Sequence, residues 1–487
     1  MIKEDQGMMK RTLGLKESIT LTVGTVVGVG LFTVGANGVG YLGPMVILAT
    51  LAALLVSIFP ALLYAEMGSS LPYAGGTYYY ASKGLGRFWG MQAGWNFVIS
   101  LIAVVSGEAL AFSFYFKTIF EALGVNLTID ERIIASLVVL LFIYINWKGV
   151  EITGRMQNAF VFFFWGVSIV WFISMFKEIN LSYYKPFIIP GQTGIRDFIF
   201  TTSLIWWCFA GFESCCAMGE EIKFPQVNIP RAMFLSPFII FAVNAIFQWF
   251  LLGIVPPESL SIIAESSAPY ADGMKLAGII GFPLVLLCAG IAFGGDFSTL
   301  NAGIAGPARY LYSMSEDGVL PKIFAGLHPK YKTPHRAILF LGIFILLFIG
   351  TGSIIYIASL SLFADLLYYI IGFAGAIGLR KNRPDIERPY KVPALKSGAI
   401  LSIIIYIIMM TQLPMDAFIT GAAWCVIGAV VYKFYTNSDD NTIEEEEIIL
   451  PDMPTDEEMK ELNKEYKLWK ILTGIAFIIS IAIYFIS

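Results

Sequence analysis

The chain has 487 residues, of which 57% are hydrophobic and only 14% charged, with a formal net charge of -4. Its mean hydropathy is +0.72. So few charges cannot cover so much apolar surface in water, which excludes an ordinary soluble protein. Apolar runs of about 20 residues recur end to end, each suited to a bilayer core of about 30 Å. The alternation of an outer-membrane barrel is absent. The reading is an all-α integral membrane protein embedded in a lipid bilayer, with no nucleic-acid partner.

Positions 1–16 are polar and basic, and the first apolar run is too long for a signal peptide. Thirteen candidate spans follow, at 17–41, 42–66, 89–116, 132–147, 156–176, 197–218, 232–255, 276–308, 337–352, 354–379, 398–414, 416–435 and 468–487. With the N-terminus in the cytoplasm, the inside segments hold 26 of the 32 Lys and Arg residues. That bias sets the orientation of a multi-pass protein of the plasma or inner membrane.

The first span is glycine-rich, with Gly24, Gly28, Gly30, Gly35, Gly38 and Gly40. Glycine weakens a helix by about 1 kcal/mol against alanine. Close helix packing is the plain explanation of such residues. The functional one is an unwound segment around Gly28-Val29-Gly30, whose freed backbone groups meet a ligand. The sixth span repeats the pattern in Trp206-Trp207-Cys208-Phe209-Ala210-Gly211-Phe212-Glu213. An intramembrane carboxylate such as Glu213 must face protein or water. Breaks five spans apart point to two five-helix repeats of opposite topology.

Further intramembrane groups are Glu108 in the third span, Asp296, Ser298 and Thr299 in the eighth, and Asp365 in the tenth. The acids are candidate proton carriers. The adjacent hydroxyls either bond back to their own helix or, with first-span carbonyls, supply hard oxygen ligands for sodium. All five cysteines fall inside apolar spans, without a CxxC pair, and read as buried small hydrophobes. His328 and His335 share a polar loop and do not read as a metal site.

Four segments carry a family resemblance. They are Gly28-Val29-Gly30-Leu31-Phe32, then Pro72-Tyr73-Ala74-Gly75-Gly76-Thr77-Tyr78, then Gly219-Glu220-Glu221-Ile222-Lys223-Phe224-Pro225-Gln226 after the sixth span. The last is Arg309-Tyr310-Leu311-Tyr312-Ser313-Met314-Ser315-Glu316-Asp317-Gly318-Val319-Leu320-Pro321. In this order the chain resembles the amino acid–polyamine–organocation superfamily over residues 10–435. The resemblance implies a leucine-transporter-type fold of two inverted five-helix repeats, at 17–176 and 197–380. Two flanking helices at 398–435 complete it. An acidic cytoplasmic linker (436–467) and an extra C-terminal span (468–487) lie beyond it. It also implies symport or exchange of amino acids, with Val26, Gly28, Val29 and Gly30 on one side of the substrate. Trp207, Phe209, Ala210 and Gly211 form the other side. Glu213 matches a proposed proton sensor of the family.

The chain departs from the pattern twice. Phe164 stands where many members carry a lysine in the fifth span, and Val29 replaces a small or polar residue. Coupling by lysine is therefore not expected, and H+ or Na+ is the candidate coupling ion, with no cofactor. Residues 117–131 lack a cysteine, so no disulfide-linked heavy chain is expected. The aromatic wall favours neutral substrates. The alternatives are a polyamine or other organic amine transporter, or a non-transporting amino-acid sensor. No intramembrane histidine supports a hydrolase or acyltransferase.

Overall fold

The computed structural model describes residues 11–486 apart from 12, 27, 29, 74, 149, 189–193, 437–447 and 449. Each expected apolar stretch coincides with a helix or with a helix interrupted inside the stretch. The first contains α1 (Leu15–Val26), a π-turn (Gly30–Val34) and α2 (Gly35–Leu42). Then come α3 (Val46–Ser70), the short α4 (Gly76–Leu85), α5 (Arg87–Ala122), α6 (Glu131–Lys148) and α7 (Val150–Met175). The sixth stretch is α8 (Ile195–Trp207), a run of turns, and one helical turn, α9 (Ser214–Ala217).

The second half continues with α10 (Pro225–Ile254), two short helices α11 (Leu260–Glu265) and α12 (Pro269–Leu276), and α13 (Phe282–Gly290). A second π-turn (Ile291–Asp296) joins α13 to α14 (Phe297–Glu316). The stretch expected at 276–308 therefore starts later and is interrupted. Gly278 and Gly281, both at positive φ, hold a turn before α13. The last helices are α15 (His335–Ile349), α16 (Ile354–Asn382), α17 (Leu395–Met410), α18 (Met415–Tyr435) and α19 (Asp456–Ile486). By length and composition, seven helical stretches among the described residues qualify as membrane-crossing, so this is a multi-pass membrane protein.

The long helices α5, α10 and α16 each bury 78% of their most apolar window, whereas α18 and α19 bury 22% and 17%. The former make the interior; the latter face outward, where lipid replaces protein. Trp95 of α5 and Trp424 of α18 stack at 4.3 Å and 9°. Each indole N–H donates to the other residue's carbonyl at 2.9 Å. Helix α19 lies along α10: Phe477 packs on Phe241 at 5.2 Å, and the Tyr484 hydroxyl donates to the Ala245 carbonyl. Its first turn carries Asp456, Glu457 and Glu458, which suits the positive end of the helix dipole.

The loops rich in Lys and Arg gather at one end of the bundle. There Arg11 donates to the carbonyls of Gly219 and Ile222, and Leu13 pairs with Ile222. Tyr78 and Arg87 both reach Asp317, so the segments after α3 and α14 are tied together. At the same end, Glu66 on α3 receives both arms of Arg380 on α16, at 2.7 and 2.5 Å. It also accepts the Val392 N–H at 2.7 Å. Glu66 is only 3% exposed, so its removal strands part of a paired charge. Glu66→Ala should cost about 3 kcal/mol of stability, read as a lower melting midpoint of detergent-solubilised protein; Arg380→Lys, which loses the fork, should cost less.

Candidate functional site

The two glycine breaks meet. The Cys208 thiol donates to the Gly30 carbonyl at 3.0 Å, which joins the end of α8 to the first break. Around the first break, the Phe32 N–H returns to the Gly28 carbonyl at 3.1 Å, and the Tyr115 hydroxyl donates to the Phe32 carbonyl at 2.9 Å. One turn on, the Gln248 amide donates to the Gly35 carbonyl, while Thr50 donates to the Gln248 carbonyl oxygen. The bonds from Cys208, Tyr115 and Gln248 bring side-chain donors from distant helices to backbone carbonyls at and just beyond the break.

The second break turns at Gly211, whose φ of 96° is a left-handed conformation natural only to glycine. The Gly211 N–H donates to the Tyr369 hydroxyl at 2.9 Å, and that hydroxyl donates onward to Glu213. Ser214 donates its hydroxyl to the Gly211 carbonyl at 2.6 Å. Tyr369 on α16 thus holds both the turn and the carboxylate. Beside it, Ser100 donates to Asp365 at 2.6 Å, and the Trp207 indole donates to Ser361 at 3.0 Å.

Between the breaks lies a cavity of about 330 Å³. Val26 and Gly30 line it from the first break; Trp207, Ala210, Gly211 and Glu213 line it from the second. Glu108 and Thr299 border it as well. Of the other expected site residues, Phe209 is fully buried in packing behind the wall, and Asp296 and Ser298 sit behind the lining. Gly28 is buried against Glu108 and Thr299. Val29 lies outside the described residues. Trp206, next to Trp207 in sequence, packs instead on Tyr406 at 4.8 Å.

The cavity extends past Gly75, Glu220 and Arg309 toward the Lys- and Arg-rich end. The opposite end is closed. Phe32 meets Phe164, Phe247 and Tyr270 edge to face at 5.2, 5.3 and 6.0 Å. Asn37 ties α2 to α11 by donating to the Ile263 and Ser266 carbonyls. Phe164 fills the space between the two π-turns: a Cβ on Gly294 would meet it at 2.7 Å.

Sequence spacing could not reveal Tyr369 or Ser100, because the partners named here lie more than 150 residues away. The paired breaks and Glu213 were legible from glycine and charge placement together with the family resemblance.

The two glycines of the first break differ in tolerance. A Cβ on Gly28 would strike the Glu108 carboxyl and lie 2.6 Å from the Thr299 hydroxyl, whereas one on Gly30 would meet only Cys208 Cα, at 3.5 Å. Gly28→Ala should therefore lose ligand response far more than Gly30→Ala, measured as ligand-induced thermal stabilisation of the purified variants. Tyr369→Phe should cost about 2 kcal/mol, because it strands a buried carboxylate and a backbone N–H at once; a melting midpoint equal to that of the parent protein would contradict that role.

The family model described as "Amino acid permease" matches residues 13–432. Among curated proteins, the branched-chain amino acid permease BcaP of Bacillus subtilis (strain 168) is 24% identical, over 88% of this chain and 93% of its own length. The methylthioribose transporter of the same organism is 26% identical over 88% and 94%. Its serine/threonine exchanger SteT is 27% identical over 82% and 90%. These are permeases and transporters rather than enzymes, and they fit an all-helical chain whose two interrupted helices share a cavity: the protein belongs to the amino acid permease family of the amino acid–polyamine–organocation superfamily.

Proposed function

We propose that the protein is a secondary active transporter of neutral amino acids, working by symport or exchange across the cell membrane. The observation that carries this reading is the shared cavity, lined by Val26 and Gly30 from one break and by Trp207, Ala210 and Gly211 from the other. Broken helices offer backbone donors and acceptors suited to an amino acid's carboxylate and ammonium. About 330 Å³ admits a small ligand of that class, and the apolar lining from Val26, Val104 and Trp207 suits an uncharged side chain.

The alternating unit is two five-helix repeats of opposite topology, 17–176 and 197–380, with α17 and α18 flanking them. With the Lys- and Arg-rich end in the cytoplasm, the described conformation is open inward and shut outward by the aromatic cluster around Phe32. Coupling draws on Glu213, Glu108, Asp296, Ser298 and Thr299, with a proton or sodium ion as the driving species. The names of the relatives widen the candidate substrates to branched-chain amino acids, serine, threonine and methylthioribose.

Two measurements test the reading. Melting midpoints of the purified protein should rise with neutral amino acids, because a ligand at 100 times its dissociation constant adds about 2.7 kcal/mol. The same compounds should then drive counterflow of their labelled forms into liposomes. Stabilisation only by di- or polyamines would replace the substrate class, and binding without counterflow would leave a sensor in place of a transporter.

A further inference from the structure

Behind the cavity, at the second π-turn, lies a carboxyl whose surroundings differ from those of the other intramembrane acids. Glu213 is held by Tyr369, and Asp365 by Ser100. Asp296 is fully buried, and neither of its oxygens receives a hydrogen bond of normal geometry. The group that faces it is the carboxyl of Glu108, from α5. Glu108 is 1% exposed, yet it borders the cavity, and it abuts Gly28 at the first break.

The elements packed around Asp296 bring it no cation among the described residues. From α5 comes Tyr115, whose proton is committed to the Phe32 carbonyl. Helix α13 brings Cys288 beside Tyr115, α14 the Thr299 hydroxyl, the first break the Gly28 backbone, and α7 the backbone and Cβ of Phe164 against Gly294. No cation acts on Asp296 from any of them. Two ionised carboxylates in contact, away from water, repel one another by several kcal/mol. Carboxyl pairs resolve this by sharing one proton.

We propose that Glu108 and Asp296 form an acid pair that holds one proton against the first-helix break and exchanges it with the cavity through Glu108. The proton sits in an O–H···O bridge between the two side chains. Its release leaves both carboxylates charged beside Gly28, so it departs only when water or a ligand's ammonium group reaches Glu108. On the transport reading above, this makes the pair the coupling site in a chain where Phe164 stands in the lysine position. Glu213 then has a structural duty in fixing the Gly211 turn.

The proposal makes two statements, one independent of substrate and one not. Infrared difference spectra of the full-length protein in liposomes, recorded while pH is stepped upward, should show a protonated carboxyl C=O band at neutral pH that is lost under alkaline conditions. Asp296→Asn and Glu108→Gln should each remove that band, because the new amide donates the hydrogen bond the shared proton had supplied. Should one variant fail to fold, the other reads the same bridge from its opposite side. A band of full amplitude in a folded variant overturns the pair; loss of the band on adding sodium at fixed pH replaces the proton with a metal cation and overturns it equally. Calorimetry of ligand binding in two buffers of different ionisation heat should then show proton exchange with the parent protein and none with either variant. If no amino acid binds the parent protein, the transport reading falls while the infrared result still decides the acid pair.

Discussion

A peptide group freed from its helix inside a membrane has no water to turn to, and this constraint organises the structure. The chain interrupts its helices at Gly28–Gly30, at Cys208–Glu213 and at the π-turn ending in Asp296. The first two are answered from distant helices: Tyr115 and Gln248 serve the first, Tyr369 the second. The thiol of Cys208 bonds the first two breaks to one another. A ligand entering between them meets backbone already positioned, so less of its binding energy is spent on ordering the site.

Much of this was legible in the sequence because glycine and charge are costly in a membrane helix, so their placement carries information. That cost marks the apolar stretches directly, while the breaks and Glu213 stood out from ordinary packing only with the family resemblance added. The orientation of neighbouring side chains does not. Trp206, Trp207 and Phe209 look equivalent in one dimension, yet of the three only Trp207 lines the cavity: Trp206 sits about 100° away around α8, and Phe209 lies in the turns beyond that helix. The interruption within 276–308 was hidden as well. A π-turn adds a residue to a helix without changing its apolar texture, and Gly294-Gly295 reads as ordinary close packing.

Phe164 links the closed end of the cavity to the second π-turn. Its ring joins the edge-to-face cluster that shuts one end of the cavity, and its backbone and Cβ press on Gly294, which has no side chain to obstruct them. An apolar residue there carries no charge, whereas α5 and the second π-turn each bury an acid, Glu108 and Asp296. Phe164 therefore packs at both the closed end and the second π-turn.

The tryptophan pair joining α5 to α18 has a further consequence. Two indoles stacked at 4.3 Å and nearly parallel couple their electronic transitions, so the pair carries an optical signature that neither ring has alone. With ten tryptophans in the chain, that coupling distinguishes these two from the other eight. Helix α18 is mostly exposed while α5 is interior, so the near-ultraviolet circular dichroism of this pair is a built-in gauge of whether the peripheral helices move with the core or stay behind.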